Sequence, residues 1–264
     1  MTPDTREFQL KWLKATFKSR PNLGMVHFQE TKFNTPKEAR EAFMGLGGKI
    51  IGTSSVTHGR KHGVVTWVPE HSPIYKLVEQ VQIDTTDGRW AILRVAAKQE
   101  LLHVINVYAP SEGKSERETF FDSLKDTFDL PNLMIVGDWN FVAEAIDNIQ
   151  VDGNVEPKDH PKTDAILANL ELEDVFRYRN EDTIEMTFVH SNGTYQARLD
   201  RFYVQQHILN QCDSLQTVPS LNVSDHEAIG MAYKDPVHRD RIEEPHYIGC
   251  LELYSRQSQT PNQT

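Results

Sequence analysis

The sequence has little cysteine, no long apolar run and no excess of positive charge. Its 264 residues include 2 cysteines, Cys212 and Cys250, which are too few and too far apart for a disulfide framework. No apolar stretch approaches membrane-spanning length, and the N-terminal residues carry charges where a signal peptide needs an apolar run. These absences predict a soluble intracellular protein without a membrane partner.

The formal net charge is −10, with 38 acidic against 28 basic residues. Such a chain does not coat nucleic acid through a general basic field. The balance still permits an enzyme that acts on phosphate esters, because carboxylates that hold a divalent cation make a chain acidic while a small basic patch meets the substrate. A hydrophobic content of 38% is enough for a sizeable core.

Helix signals recur along the chain. Apolar periodicity predicts a helix over residues 5–19, and Thr35 with Glu38 three residues later is typical of a capped helix start. Ser115 and Glu118 have the same spacing and predict the start of another helix.

Between and after these helices, the patterns predict strands. Residues 49–108 read as successive strands with a hairpin turn at "TTDG", and later strands are expected at "MTFVH", "LDRFYV" and "HEAIGMAY". Hairpins mixed with strand–helix–strand units favour an α/β sandwich, in which two mostly antiparallel sheets pack face to face with helices on the outside. The apolar pattern fades after residue 233, so we expect one domain over 1–233 and a polar tail over 234–264 that is disordered in part.

One stretch, "NLMIVGDWNF", runs from apolar residues straight into Asp138 and Asn140. The apolar run predicts a buried strand that ends at Gly137. Polar residues at strand ends are where α/β enzymes place their chemistry. The alternative is local, since Asp and Asn also form Asx turns for purely structural reasons.

Other predicted strands carry polar residues at their ends in the same way. These residues are Glu30, Tyr108, Asp200, Asp225 and His226. Taken singly, each has a structural alternative: a solvated acid, an interface aromatic, a surface ion pair with the neighbouring arginines, or a turn cap. Taken together, they form a set with coherent chemistry.

Carboxylates suit a hard divalent cation, so Glu30 is a candidate ligand for Mg²⁺. Asp138, with the amide of Asn140 beside it, could orient and deprotonate a water molecule. His226 held as imidazolium by Asp200 could stabilise negative charge on phosphoryl oxygens. The phenol of Tyr108 could do the same.

The ordered motifs "QET", "NVYAP", "GDWN", "ARLD" and "SDH" resemble the endonuclease/exonuclease/phosphatase superfamily, which is related to DNase I and the apurinic endonucleases. Within it, the stretches "HFQETK", "YAPSEGKSERETFF" and "MTFVHSNGTYQARLDRFYV" make the chain most similar to the endonuclease domains of non-LTR (LINE-type) retrotransposons. The resemblance covers residue 6 to about residue 233. It implies a DNase I-like sandwich with the site at strand ends between the sheets.

The resemblance also implies roles for the matching positions. Glu30 would be the metal ligand, with Asp225 in the metal and phosphate neighbourhood, and Mg²⁺ the cofactor, for which Mn²⁺ can substitute. The other implied site residues are Tyr108 as a phosphate contact, Asp138 and Asn140 as the water-activating pair, Asp200 as the partner of His226, and Thr187 lining the site.

Basic residues near these motifs are candidates for substrate phosphate contacts. They are Lys32, beside Glu30, and Arg60 and Lys61 in the loop "SVTHGRKHG". The alternative for this loop is a solvated hairpin tip. The substrate implied by the resemblance is the DNA backbone, and a retrotransposon-type protein would be nuclear.

In one respect the chain departs from the family, because no strand with an "NVNGL"-like motif precedes the first predicted helix. We therefore expect an open place within a sheet, marginal stability and weakened activity. Three functions stay open: a nuclease that nicks one DNA strand, a phosphatase, deadenylase or phosphodiesterase acting on a non-DNA substrate, and a truncated, catalytically impaired module that binds nucleic acid.

Overall fold

The computed structural model describes residues 11, 15, 22–55, 57, 61–96, 101–150, 160–218, 224–233 and 246–252. Of the helix predicted over 5–19, only Lys11 and Ala15 are described, and both are helical. Arg60 and the final residues 253–264 lie outside the described ranges.

Strands make up most of the described secondary structure. In chain order they are β1 (Leu23–Gln29), β2 (Lys49–Thr53), β3 (Val64–Val68), β4 (Val78–Ile83), β5 (Trp90–Ala96), β6 (Leu101–Tyr108), β7 (Leu133–Asp138), β8 (Asn148–Gln150), β9 (Leu172–Asp174), β10 (Phe188–Val189), β11 (Tyr195–Ala197), β12 (Asp200–Gln205), β13 (Cys212–Val218), β14 (Ala228–Tyr233) and β15 (His246–Glu252). The fully described helices are α1 (Pro36–Phe43), α2 (Lys114–Leu124), α3 (Pro161–Asn169) and α4 (Val175–Arg179). Short 3-10 turns span Met44–Leu46, Ala145–Asp147 and Gln206–Gln211.

The strands form two six-stranded sheets and one small sheet. The first sheet has the order β13-β14-β15-β1-β3-β2, the second has the order β4-β5-β6-β7-β12-β9, and β10-β11-β8 form the three-stranded sheet. The main core cluster joins Met25 and Val68 of the first sheet to Val104 and Val136 of the second, so these two sheets pack face to face. The predicted α/β sandwich is confirmed.

Helices cover the outer faces of the sandwich. Phe43 of α1 packs with Phe28 and Trp67 on the first sheet, and Phe121 of α2 packs with Ile135 on the second. The capped start of α1 is also confirmed, because the Glu38 backbone N–H donates to Thr35 Oγ1 over 3.0 Å.

The predicted cap of α2 is wrong. The N-cap residue is Gly113, and Glu118 lies inside the helix. The Glu118 carboxylate instead accepts hydrogen bonds from the backbone N–H groups of Lys162 (2.5 Å) and Thr163 (3.4 Å), in the first turn of α3. A carboxylate near a helix N-terminus is stabilised there, so the Glu118 position serves the packing of α3 against α2.

Strand β7 lies in the interior of the second sheet and carries the motif "GDWN". It runs parallel to β6 and antiparallel to β12, which brings Tyr108 and Asp200 into register with Asp138 on either side. Gly137 is required for this pairing, because a Cβ at that position would lie 1.8 Å from the carbonyl oxygen of Val107. The candidate residues Tyr108, Asp138 and Asp200 therefore lie side by side at one end of three neighbouring strands.

Strand β15 corrects the expected domain boundary at residue 233. It lies between β14 and β1, antiparallel to the first and parallel to the second, so the sheet includes residues 246–252 that we had assigned to the tail. The open place expected from an absent first strand is not found at β1, which is paired on both sides, with β15 and β3. Among the described residues, none of the helices is long and apolar enough to cross a membrane.

Candidate active site

Asp138 and Asn140 form a closed pair at the end of β7. The backbone N–H of Asn140 donates to Asp138 Oδ1 over 2.9 Å, and its side-chain amide donates to Asp138 Oδ2 over 2.7 Å and to the carbonyl of Ala109 over 2.9 Å. Asn140 has a φ of 51°, a conformation that Asn tolerates better than most residues. The local Asx turn is thus present, and it also fixes the carboxylate in the site.

Asp200 and His226 form a second pair beside the first. His226 Nδ1 lies 2.8 Å from Asp200 Oδ2, and because a carboxylate can only accept, the proton of this bond belongs to Nδ1. Thr187 supports the pair through its hydroxyl oxygen, which accepts from the backbone N–H groups of Leu199 (2.9 Å) and Asp200 (3.1 Å). Thr187 thus fixes the start of β12.

A hydrogen bond between Glu30, which follows β1 of the first sheet, and Tyr108, which ends β6 of the second, connects the two sheets at this end of the strands. The Tyr108 hydroxyl donates to Glu30 Oε1 over 3.2 Å, and Lys32 Nζ lies 2.8 Å from the same oxygen. Glu30 and Lys32 both have a positive φ, 51° and 52°, which turns the chain sharply after β1. Lys32 is thereby brought next to the carboxylate that precedes it by two residues.

Asp138, Asp200 and His226 each offer a ligand atom within 4.8 Å of the others, and all three residues are buried. Burial of the Asp138 carboxyl is the main cause that raises its pKa to about 7. The charge of His226 acts in the opposite direction, and the charge of Asp200 adds to the rise. A strongly raised pKa in a cluster of polar groups is typical of functional sites.

The remaining predicted residues lie less centrally. Asp225 is half-buried, and its backbone carbonyl accepts from Val189 N–H over 3.0 Å. Lys61 is exposed and lines a cavity that also contains His62 and Arg89. Arg60 lies outside the described residues, so its predicted phosphate contact stays a prediction.

The arginines that flank Asp200 in sequence do not pair with it, so the surface ion pair considered for Asp200 is wrong. Arg198 is 2% exposed and donates to Asp147 Oδ1 over 2.8 Å and to Asp174 Oδ2 over 2.7 Å. Arg201 is also buried and donates to the carbonyl of Phe141 over 2.8 Å. The two arginines therefore bind Asp147, Asp174 and the Phe141 carbonyl, whereas Asp200 bonds to His226.

Sequence reasoning missed a buried contact behind Glu30 and Tyr108. The side-chain amide of Gln29 donates to Asn106 Oδ1 over 2.6 Å, and the Asn106 amide donates to the carbonyls of Phe28 (3.3 Å) and Val65 (3.2 Å). Both residues are fully buried, and the contact crosses the space between the sheets. A polar residue in each apolar strand, at "HFQE" and "VINVY", was the signal available in the sequence.

Solved structures with this arrangement of sheets and helices provide the comparison. An AP endonuclease from Leishmania major superposes with a TM-score of 0.74 at 16% identity, covering 89% of this chain and 85% of that one. An AP endonuclease from Archaeoglobus fulgidus gives a TM-score of 0.66 at 18% identity over 87% and 94% of the two chains. The chain has the fold of the endonuclease/exonuclease/phosphatase superfamily. A further structure with this fold, a 3′ phosphatase from Neisseria bound to a product DNA hairpin, gives a TM-score of 0.68 at 17% identity, covering 86% and 95%.

Sequence comparison adds a transposon relative. Over 154 residues the chain is 32% identical to the transposon TX1 uncharacterized 149 kDa protein of Xenopus laevis. The match covers 54% of this chain, and the chain spans only 11% of the length of that relative. No family model matches the sequence.

Proposed function

We propose that this chain is a divalent-cation-dependent phosphodiester hydrolase that nicks one strand of DNA. The observation that carries the proposal is the meeting of Asp138 with Tyr108 and Asp200 on register-paired strands, with His226 bonded to Asp200. These groups provide a base, a charge-stabilising imidazole and a phenol at one edge of the sheet, which is the set that hydrolysis of a phosphate ester needs.

The carboxylate of Glu30 is an oxygen donor of the kind that a hard divalent cation binds. Glu30 is partly exposed, and its carboxylate oxygen already lies 2.8 Å from the positive charge of Lys32. We propose Glu30 as the principal ligand of Mg²⁺, with Asp225 in the neighbourhood and Mn²⁺ able to substitute. When bound, such a cation polarises the phosphate and offsets its negative charge.

Asp138 is the proposed general base. A carboxyl with a pKa of about 7 accepts a proton more readily than an ordinary carboxylate and is still largely ionised at slightly alkaline pH. Asn140 fixes the orientation of both carboxylate oxygens. The attacking water would give its proton to Asp138 as its oxygen bonds to the phosphorus, while the ester bond from phosphorus to one sugar oxygen breaks and that oxygen takes a proton from solvent.

His226 is the proposed stabiliser of the phosphoryl oxygens. Its Nδ1 donates to Asp200 Oδ2 over 2.8 Å, and the Phe188 ring packs against the imidazole at 4.9 Å between centroids, so the orientation of the ring is fixed. A positively charged or donating imidazole beside the phosphoryl oxygens would offset the negative charge that develops on them. Tyr108, through its hydroxyl, and Lys32, through its ammonium group, would bind the same phosphate.

The transposon relative favours a retrotransposon-type endonuclease with a nuclear location as the finer assignment. The second candidate is hydrolysis of a terminal phosphate, because a structural relative is described as a 3′ phosphatase bound to a product DNA hairpin. A third, non-catalytic possibility is a module that binds nucleic acid without cleaving it. Each of these functions predicts a different product.

The test uses three substrates with the purified protein: supercoiled plasmid, a hairpin with a 3′ phosphate and a single-stranded RNA. We expect Mg²⁺-dependent conversion of the plasmid to the nicked form, blocked by EDTA. Phosphate release from the hairpin without nicking would favour the phosphatase function. Binding of any substrate without turnover, in either Mg²⁺ or Mn²⁺, would show that the chain is not a hydrolase.

A further inference from the structure

A cavity of about 600 Å³ adjoins the candidate active site beside Tyr108. Its wall includes Lys61, Arg89, Glu112 and Glu116. The guanidinium of Arg89 lies over the Tyr108 ring, with its central carbon 5.4 Å from the ring centroid. The same tyrosine donates to Glu30 through its hydroxyl, so Tyr108 contacts both Arg89 of the cavity wall and Glu30 of the proposed cleavage site.

Arg89 is a buried cation held in a fixed orientation. Arg89 is only 6% exposed, and one nitrogen of its guanidinium lies 2.8 Å from His62 Nε2. His62 Nδ1 lies 3.1 Å from the carbonyl of Asp87, which can only accept, so the His62 proton is on Nδ1 and Nε2 accepts from Arg89. His62 therefore positions the guanidinium of Arg89 through this hydrogen bond.

The charge of Arg89 faces a weakly bound carboxylate. Both oxygens of Glu112 lie 3.3 Å from the same Arg89 nitrogen, at the long end of hydrogen-bond distances, and the Glu112 side chain is 51% exposed. Because the Glu112 carboxylate is half-exposed, solvent screens this contact, and it contributes little to stability. A phosphate, which presents several charged oxygens to the planar fork of an arginine, binds such a group better than a single long carboxylate contact.

We propose that Arg89 and Lys61 bind a phosphate of the nucleic-acid strand that flanks the cleaved phosphate, and that the carboxylate of Glu112 occupies this position in the free protein. The inference rests on the proposed function, because it assigns the neighbouring phosphate of the same substrate. Asp87 and Glu116 also line the cavity, so its charge is mixed and the phosphate is held only at the end formed by Arg89 and Lys61.

If the Glu112 carboxylate occupies the phosphate position in the free protein, it must compete with the substrate for Arg89. Replacement by Gln keeps the shape and removes the charge, so Glu112→Gln should tighten binding of a fluorescently labelled DNA duplex, measured by anisotropy in EDTA. We expect a gain on the order of tenfold in affinity, the effect of about one charge-assisted hydrogen bond. Glu116→Gln is the matched control, because it removes one negative charge from the same cavity wall.

Two outcomes distinguish the subsite from a general charge effect. If Glu112→Gln and Glu116→Gln tighten binding equally, only net charge matters and the subsite is overturned. If the Glu112→Gln gain is lost when Arg89→Lys is added, the specific arginine is confirmed as the partner. Should the Arg89 variant fold poorly, Lys61→Ala at an exposed residue takes its place. The subsite predicts that this change weakens duplex binding more in the Glu112→Gln background than in the parent, whereas an equal loss in both backgrounds indicates net charge alone.

A separate measurement keeps this inference distinguishable from the proposed function. Inorganic phosphate should raise the Tm of Glu112→Gln more than that of the parent or of Glu116→Gln, and this result does not depend on cleavage. If the parent binds the duplex and Glu112→Gln binds it with the same affinity, only the subsite is overturned. If the parent neither binds nor nicks DNA, and phosphate raises the Tm of parent and variants equally, both the subsite and the proposed function are overturned.

Discussion

Replacing Asp138 by Asn should stabilise the protein at alkaline pH while it slows cleavage. Asp138 is 1% exposed, and burial raises the pKa of its carboxyl from 3.8 to about 7. A difference of roughly 3 pKa units corresponds to about 4 kcal/mol of unfolding free energy. The folded chain binds this proton more tightly than the unfolded chain, so the stabilisation is complete below a pH of about 4 and is lost as the pH rises through 7.

The Asn side chain of the variant also loses a hydrogen bond, and this loss opposes the gain in stability. Asp138 accepts two hydrogen bonds from Asn140, and an Asn at position 138 has only one oxygen with which to accept them. Its amino group would face the amino group of Asn140, unless the Asn140 amide turns over and gives up its bond to the carbonyl of Ala109. Losing one of these buried bonds costs about 1 to 3 kcal/mol.

Together, these two contributions predict that the difference in unfolding free energy between Asp138→Asn and the parent changes with pH. At pH 8, Asp138→Asn should be more stable than the parent by about 1 to 3 kcal/mol, whereas at pH 5 the gain should vanish or reverse. The difference between variant and parent should therefore grow by roughly 2 to 3 kcal/mol between the two pH values. Urea unfolding at pH 5 and pH 8 measures it, with plasmid nicking measured on the same samples.

Asp122→Asn is the matched control, because Asp122 is a half-exposed carboxylate on α2 whose nearest cations, Lys125 and Lys162, lie more than 3.5 Å away. It should change neither the pH dependence nor the nicking rate. Nicking by Asp138→Asn should fall by a factor on the order of 10² to 10⁴, the scale of a lost general base. The catalytic assignment would be refuted by equal destabilisation at both pH values, with activity lost only in proportion to unfolded protein.

Three further results are expected. Glu30→Ala should need a much higher Mg²⁺ concentration for nicking, and equal rates for variant and parent at limiting Mg²⁺ would show that Glu30 is not the ligand. His226→Ala should lose on the order of 10² to 10⁴ in rate, far more than the accompanying fall in Tm accounts for, whereas His207→Ala, which removes an exposed imidazole bonded to Asn132, should retain full activity. Removing residues 246–264 takes away β15, leaves ladder groups of β14 and β1 without partners, and should lower the Tm and promote association. Removing only 253–264 is the control, and equal stability of the two truncated proteins would show that β15 does not support the sheet.

The sequence alone determined the elements whose signals are local. The apolar run before Asp138 predicted β7, the Thr35 cap predicted α1, and the turn at "TTDG" predicted the β4–β5 hairpin. The candidate residues could be named because each stands at the end of such an element. The two interpretations of "GDWN" also turned out to be compatible, since the Asx turn of Asn140 fixes the carboxylate that faces His226.

Only the tertiary structure decided which distant groups meet. Glu118 has the spacing of a capping box but contacts α3, because the packing of two helices outweighs the local bond. Arg198 and Arg201 lie within two residues of Asp200 in sequence, yet they pair with the buried carboxylates of Asp147 and Asp174, which come from other parts of the chain. The place of β15 between β14 and β1 depends on pairing across more than 200 residues, and no local pattern encodes a contact of that kind.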